Sequence, residues 1–357
     1  FSIGGGIPFG VDYTLDGANH INFLTGVTMP LPFPDATQEF KVETSGLGAT
    51  HGSGAAMSAV TKSGTNELHG DLFEFVRNDL FNARQYFATR NSTLKRNQFG
   101  GTLGGPSAKN KLFFFGGYQG TIIRQDPANN QSFVPTAAML AGDWTAFASP
   151  ACNAGRTIAL RAPFVNNRID PAQYSKVANF ITAKVLASQI SQPNDCGLIT
   201  WGRPAQETDH QFVGKIDYQK SAKHSIFGRL LYSTVAIPNS LSRTKNLLAS
   251  GTVGVGNHDH SYTIGDTYLI NANTVHAFRL AVNRLASSQK QNDFFSWCDA
   301  GVVNYNCSFS PTYMGILSIT GGFTMGSQFS SDDHWTPTEY LLNDDMNVVH
   351  GTHQIAF

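Results

Sequence analysis

Histidines and aspartates gathered in two short segments are the residues of this chain best suited to metal chemistry. His258 and His260 lie two positions apart, and the acidic and histidine side chains of 332–334 form the second group. Two histidines at this spacing share one face of a β-strand and can chelate a metal ion. The competing interpretation is a pair of solvated residues at the start of a strand, and it is the stronger one because no Cys/His spacing typical of zinc accompanies them. We therefore predict no metal site.

A glycine-rich segment at 46–52, GLGATHG, invites comparison with phosphate-binding loops. It lacks both the Lys-Ser/Thr pair of a P-loop and the two-residue gap of a dinucleotide loop. Close backbone packing in a small domain is the better explanation of its glycines. The chain also has no Gly-x-Ser-x-Gly elbow and no paired-carboxylate spacing. The sequence predicts a protein without a cofactor and without enzymatic activity.

Composition narrows the class of protein. The 357 residues carry a formal net charge of zero, and only 14% of them are charged. There is no basic stripe for nucleic acid, and no apolar run approaches the roughly 18 residues of a transmembrane helix. With 35 glycines and 26 phenylalanines, the chain suits either a membrane β-barrel, whose strands alternate in polarity, or a soluble β-sandwich.

Alternating polarity predicts a series of strands after residue 66. In the clearest example Phe212, Gly214 and Ile216 share one face, while Val213 and Lys215 lie on the other. A soluble antiparallel sheet with one solvated face would alternate in the same way. We predict nine strands, at 68–78, 96–107, 111–124, 208–220, 223–236, 258–269, 274–287, 338–349 and 352–357.

The connections between these strands favour the barrel. Long links, at 79–95, 125–207, 237–257 and 288–337, alternate with links of a few residues. Outer-membrane barrels place short turns on the periplasmic side and long loops outside, whereas a sandwich has no reason to do so. We predict an all-β fold, a partial transmembrane antiparallel barrel whose apolar face meets lipid and whose charged face lines a wet lumen.

Motifs between residues 35 and 120 resemble those of a known family, the TonB-dependent outer-membrane receptors of the Oar-like type. The first two fall at the end of the plug domain of that family and the others in its first barrel strands. They are DATQEFKV at 35–42, VTKSGTNELHG at 60–70, LFEFVRND at 72–79, NQFGGTLGGP at 97–106 and KLFFFGGYQG at 111–120.

The resemblance implies a domain division and a function. Residues 1–65 would be the C-terminal part of the plug, and residues 66–357 would be about nine of the 22 strands of a plugged transporter barrel. Such a receptor takes up a large or scarce nutrient through the outer membrane of a Gram-negative bacterium. The inner-membrane TonB complex supplies the energy for this uptake by acting on the plug. Its partners would be outer-membrane lipid, an unknown extracellular substrate and TonB, the last through a segment upstream of residue 1. The alternative is a surface adhesion barrel that transports nothing.

Both ends of the sequence look like truncations. Residues 1–4 have neither the basic start nor the apolar core of a signal peptide, and the first residue is not methionine. Residues 354–357 stop within a predicted strand. We expect a fragment of a longer protein.

Polar residues at the apex of the plug and on the lumen face are the predicted substrate contacts. They are Asp16, Asn19, His20, Asn22, Lys215, Asp217, Arg229 and Arg279.

The four cysteines fall in two of the long outer loops. Cys152 and Cys196 share one loop, and Cys298 and Cys307 share another. Disulfides persist outside the cell, so we predict one disulfide within each loop.

Overall fold

The computed structural model describes residues 10–22, 26–44, 54–84, 86, 93–126, 130–189, 192–303, 305–308, 312, 314–327 and 332–357. The glycine-rich segment at 46–52 lies outside this set. None of the helices in the described ranges is both long and apolar enough to cross a membrane.

A small sheet forms the N-terminal part of the described chain. Its strands run in the order β2-β1-β6-β5, and β3 pairs with β4 separately. A two-residue turn, Asp16-Gly17, joins β1 to β2, and its φ angles of 53° and 81° are those that favour Asp-Gly in tight hairpins. The strands are β1 (Val11–Leu15), β2 (Ala18–Asn19), β3 (Ile21–Asn22), β4 (Val27–Thr28), β5 (Thr37–Glu43) and β6 (Ala55–Thr61).

The remaining chain alternates long strands with loops that contain short elements. The strands are β7 (His69–Asn78), β8 (Thr93–Ala108), β9 (Leu112–Asp126), β10 (Asn130–Phe133), β11 (Leu198–Trp201), β12 (Ala205–Ser221), β13 (His224–Ile237), β14 (Gly254–Asn271), β15 (Thr274–Lys290), β16 (Leu317–Ser318), β17 (Thr324–Met325), β18 (Asp333–Trp335), β19 (Thr338–His350) and β20 (His353–Ala356). The α-helices are α1 (Ala137–Leu140), α2 (Lys176–Ala187) and α3 (Leu241–Thr244), and single turns of 3-10 helix occur at Pro34–Ala36, Asp79–Phe81, Pro171–Gln173 and Leu247–Ala249.

The long strands form one antiparallel wall, in the order β20-β19-β15-β14-β13-β12-β9-β8-β7, with β18 also pairing with β15. All nine predicted strands are present in the predicted sequence order. Several begin earlier or end later than predicted, so the loops are shorter than the sequence suggested. Among the described residues the wall is open, with β7 and β20 as its edges.

The two faces of the wall differ as the alternation predicted. Ile216 and Leu230 on the outward face are 57% and 42% exposed, whereas their neighbours Lys215 and Arg229 on the inward face are 7% and 4% exposed. The inward face is covered by the small sheet. Leu15 and Ala59 of the small sheet, together with Phe33 just before the Pro34–Ala36 turn, form one apolar cluster with Phe115, Val213 and Leu231 of the wall.

A glycine in β9 allows this close packing. A Cβ atom on Gly117 would lie 2.8 Å from the ring of Phe33, so a side chain at this position would push the small sheet away from the wall. Among the residues that the structure describes, the N-terminal segment therefore packs on the charged face of the wall.

The long loops share a second apolar core. It unites three of the four predicted loops, and helix α2 contributes the buried Ile181 and Val185. Both predicted disulfides are present, Cys152–Cys196 with a Cα–Cα distance of 5.4 Å and Cys298–Cys307 with one of 5.9 Å. The loops therefore form one packed, cross-linked layer and not separate irregular segments.

Candidate functional site

The turn between β1 and β2 places a carboxylate against the inward face of the wall. Asp16 is 7% exposed. Its oxygens accept hydrogen bonds from the backbone N–H and the hydroxyl of Thr61 at 2.9 and 2.8 Å. They also lie 3.5 Å from Nζ of Lys215 and 3.2 Å from Nε of Arg229. Asp16 therefore joins the small sheet to two strands of the wall.

The carboxylate of Asp16 compensates two positive charges that lie next to each other on the wall. Lys215 of β12 and Arg229 of β13 are direct register partners, and like charges directly opposite each other destabilise a sheet. Asp16 lies beside both and offsets their repulsion. Arg229 also donates to the hydroxyls of Ser261 and Thr263 at 2.8 and 2.6 Å, so the buried guanidinium is well satisfied, as buried charges must be.

Arg279 of β15 adds a third cation below the turn. Its Nε donates to the backbone oxygen of Asp16 at 3.3 Å, and its Nη1 donates to the backbone oxygen of Asp266 at 2.8 Å. The ring of Phe227 lies between Lys215 and Arg279, at 5.1 and 5.2 Å from their charged groups. Cation–π contacts of this kind hold both long side chains in place.

His20 is the most deeply buried titratable residue of the small sheet, at 1% exposure. Its Nε2 lies 2.8 Å from the backbone oxygen of Pro30, and its Nδ1 lies 3.5 Å from the hydroxyl of Ser261. Burial lowers the pKa of His20 from 6.5 to about 4, and the nearby Arg229 acts in the same direction. The ring is therefore neutral at physiological pH.

The structure brings the predicted substrate contacts together at this interface. Five are buried between the small sheet and the wall or within the small sheet, namely Asp16, His20, Asn22, Lys215 and Arg229. Asn19 is exposed, and Asp217 and Arg279 are half-buried. Contact of any of the eight with a substrate stays a prediction.

Sequence reasoning missed several polar partners on the same face. Gln211 clamps the small sheet, because it accepts from the backbone N–H of Phe33 at 2.6 Å and donates to the oxygen of Leu31 at 2.9 Å. Asn283 donates to the backbone oxygen of Asn19 at 3.1 Å. Both occupy inward positions, so the alternation alone identifies them as lumen-facing.

The metal candidates lie elsewhere. His258 and His260 are on the outward face of β14, on the side away from the small sheet. Asp332 accepts from the backbone N–H of Gln291 at 2.8 Å. Across the described ranges, no group of three His, Cys, Asp or Glu side chains is placed to hold a metal ion.

Comparisons with known proteins agree with this architecture. Residues 60–357 match the family model described as outer membrane beta barrel domain. Over 125 residues the chain is 30% identical to the TonB-dependent transporter Oar of Myxococcus xanthus. The matched region is 33% of this chain and 10% of Oar.

Two solved structures share the fold. The outer membrane transporter YddB from Escherichia coli has a TM-score of 0.57 at 10% identity, over 98% of this chain and 39% of that one. The siderophore receptor PirA from Acinetobacter baumannii has a TM-score of 0.50 at 10% identity, over 96% of this chain and 38% of that one. The chain thus spans well under half the length of these relatives.

Proposed function

Because this chain belongs to the outer membrane beta barrel domain family, and so lies in the outer membrane of a Gram-negative bacterium, we propose that it is part of a TonB-dependent transporter. The similarity to Oar supports this assignment. In this proposal residues 1–65 belong to the plug and residues 66–357 to the barrel.

The observation that carries the proposal is the small sheet on the inward face of the wall. A barrel that served only as an anchor would need no separate sheet in its lumen. Here the sheet is held by an ion pair of Asp16 with Lys215 and Arg229 and by the side chain of Gln211. These are discrete polar contacts, which a pulling force can break one after another, so the arrangement suits a gate.

The proposed cycle begins with a large or scarce nutrient that binds the outer loops and the lumen. The inner-membrane TonB complex then pulls on the plug through a segment upstream of residue 1, and the nutrient passes. Asn19, Asp217 and Arg279 retain exposed surface and are the proposed substrate contacts in the resting state. The buried Asp16, His20, Asn22, Lys215 and Arg229 would reach a substrate only after the small sheet had moved.

A tether between the two sheets tests the proposal in the full-length protein. The backbone oxygen of Asn19 and the side chain of Asn283 are 3.1 Å apart, so the two positions are neighbours across the interface, and cysteines placed there can be joined by a short crosslinker that carries its own disulfide. Cells are screened on nutrient mixtures for growth that requires both the gene and TonB. We expect the crosslinked double variant to abolish this growth and a reductant to restore it, with either single variant as the control. Gene-dependent growth that persists without TonB would contradict the proposal.

The second candidate is an adhesion barrel that does not transport. The packed, disulfide-linked layer of outer loops favours it, because a rigid outer surface suits a partner-binding role. Attachment of cells to surfaces distinguishes the two functions. Attachment that needs the gene but not TonB, without any gene-dependent growth, would support adhesion.

A further inference from the structure

The outward face of the wall carries a group of hydrogen-bond donors in the halves of β13, β14 and β15 that adjoin the outer loops. Tyr232, His260 and Arg284 are register partners across these three strands. His258 and Tyr262 lie on the same face of β14, two residues to either side of His260. This face also carries Ile264 and Leu280, so it is the face that meets lipid.

Two tyrosines orient the two imidazoles. The hydroxyl of Tyr232 lies 3.2 Å from Nδ1 of His258, and that of Tyr262 lies 3.4 Å from Nδ1 of His260. A tyrosine hydroxyl has one proton to donate, and a neutral imidazole that accepts at Nδ1 carries its own proton on Nε2. Each histidine then presents an N–H group on the side away from its tyrosine.

Arg284 gives the group a positive charge. Its side chain is exposed, and one Nη1–H donates to the hydroxyl of Thr338 at 3.1 Å. A guanidinium has five N–H donors, and among the described residues this is its one hydrogen bond. The carboxylate nearest in sequence to the histidines, that of Asp259, lies on the inward face and accepts from Ser233. An excess of donors beside a fixed cation favours an anion, and it disfavours a metal ion at the two histidines.

The height of the group matches a lipid headgroup. His260 lies eleven residues along β14 from its periplasmic end at Asn271, and Arg284 lies ten residues along β15 from Thr274. At about 3.4 Å per residue and a tilt of about 40°, these positions are roughly 26–29 Å above the periplasmic turns, just beyond the ~25 Å apolar band of outer-membrane barrels. Toward the periplasm, Ile264 and Leu280 are 55% and 37% exposed on the same face and offer an apolar surface to acyl chains.

We propose that His258, His260 and Arg284 bind the phosphate group of an anionic lipid in the outer leaflet. Arg284 supplies the charge-assisted, forked contact that suits phosphate, and the histidines add two N–H donors. The acyl chains of the lipid would lie along Ile264 and Leu280. This site is independent of the transport proposed above, because it faces the membrane and not the lumen.

The test uses the full-length protein in detergent and one probe, bisphosphorylated lipid A, beside the same lipid after removal of its phosphates. Bound lipid is counted by mass spectrometry. We expect the wild type to retain lipid A and to release the dephosphorylated form. The double variant His260→Gln/Arg284→Gln should bind lipid A about tenfold more weakly, the loss typical of a charge-assisted hydrogen bond. Arg284→Lys keeps the positive charge but loses the forked guanidinium, so its affinity for lipid A should lie between those of the wild type and the double variant. Arg243→Gln, at an exposed position of helix α3, is the matched control.

Several outcomes would overturn the proposal. Equal retention of the dephosphorylated lipid, or unchanged affinity in the double variant, would show that phosphate is not recognised here. Complete displacement of the lipid by millimolar inorganic phosphate would assign a free-anion site instead. Stoichiometric Zn²⁺ binding that His258→Gln abolishes would assign a metal site. If the double variant does not fold, the comparison of the two lipids on the wild type decides the question.

Discussion

At the scale of single residues, the contact of Asp16 with two cations determines how firmly the small sheet is held. Replacement by asparagine leaves Lys215 and Arg229 buried beside each other without their shared carboxylate. Removal of one partner from a buried ion pair costs about 3–5 kcal/mol. We predict that Asp16→Asn releases the small sheet and makes residues 26–44 sensitive to protease in the full-length protein.

The controls for this prediction separate charge from folding. Asp35→Asn changes a carboxylate in the 3-10 turn that precedes β5, which forms no ion pair within the described part of the chain, and it should leave the protease pattern unchanged. Adding Lys215→Met to Asp16→Asn removes one of the unpaired charges and should restore part of the protection, since replacing a buried pair by apolar groups costs less than breaking it. Equal protection of Asp16→Asn and the wild type would refute the role of this carboxylate.

His20 makes the same interface sensitive to acid. Its pKa is about 4 in the folded protein and 6.5 when unperturbed, so between these pH values the unfolded chain binds more protons than the folded one. Stability therefore falls as pH decreases from about 6.5 to about 4, by roughly 3 kcal/mol in total at 1.36 kcal/mol per pH unit.

Thermal unfolding across this pH range measures the effect. The melting temperature of the wild type should decrease on acidification, and His20→Gln should flatten the part of the decrease that lies between pH 6.5 and 4. His353→Gln, at an exposed position of β20, is the matched control and should follow the wild type. A His20→Gln variant with the pH profile of the wild type would assign the acid sensitivity to other groups.

Alternation in the sequence placed the charged residues of the wall on the correct face, but it did not reveal their partners. Lys215 and Arg229 were identified as lumen-facing because they alternate with Ile216 and Leu230. Their contact with Asp16 joins residues about 200 positions apart in the chain. Such a contact depends on how two sheets dock, and strand periodicity carries no signal for docking.

At the scale of elements, the two disulfides contribute unequally to the layer of outer loops. Cys152–Cys196 spans 44 residues of sequence and Cys298–Cys307 spans 9. In the chain-entropy model these loops correspond to about 4 and about 2.6 kcal/mol. The wider loop also contains α2, whose Ile181 and Val185 form part of the loop core.

We therefore predict that the double variant Cys152→Ser/Cys196→Ser loosens the loops more than Cys298→Ser/Cys307→Ser does. Trypsin added to intact cells should cut the first variant faster, within the segment that holds Lys176 and Lys184. Trypsin should cleave the reduced wild type at the sites that become accessible in either variant, because both disulfides are then open. Faster cleavage of the second variant would show that the loop core does not depend on the wider disulfide.

The long strands, and the end of the wall at which the long loops lie, could be predicted from the sequence. The short elements within the loops could not. Strands β10 and β11 have four residues each, and they pair across more than 60 positions of the chain. Four residues are too few for a period of two to stand out. Helix α2 was predictable because its twelve residues give more than three turns of apolar periodicity.

At the scale of the whole molecule, the wall has two edges that no other described strand covers. Strand β7 pairs on one side with β8, and β20 pairs on one side with β19. In hydrocarbon each unsatisfied backbone N–H or C=O group costs several kcal/mol, which is why membrane barrels close. The two edges can be satisfied by further strands or by contacts between molecules.

We predict that residues 1–357 produced alone aggregate through these edges and insert poorly into bilayers. The full-length protein should remain monomeric in detergent under the same conditions, because additional strands can pair with β7 and β20. Size-exclusion chromatography and the heat-dependent gel mobility of folded barrels measure the difference. Lysines introduced at Val76 and Ile355 should reduce aggregation of the short chain, since charged side chains on an edge strand oppose pairing between molecules. A soluble, monomeric and cooperatively melting product of these 357 residues would contradict the membrane assignment of the wall.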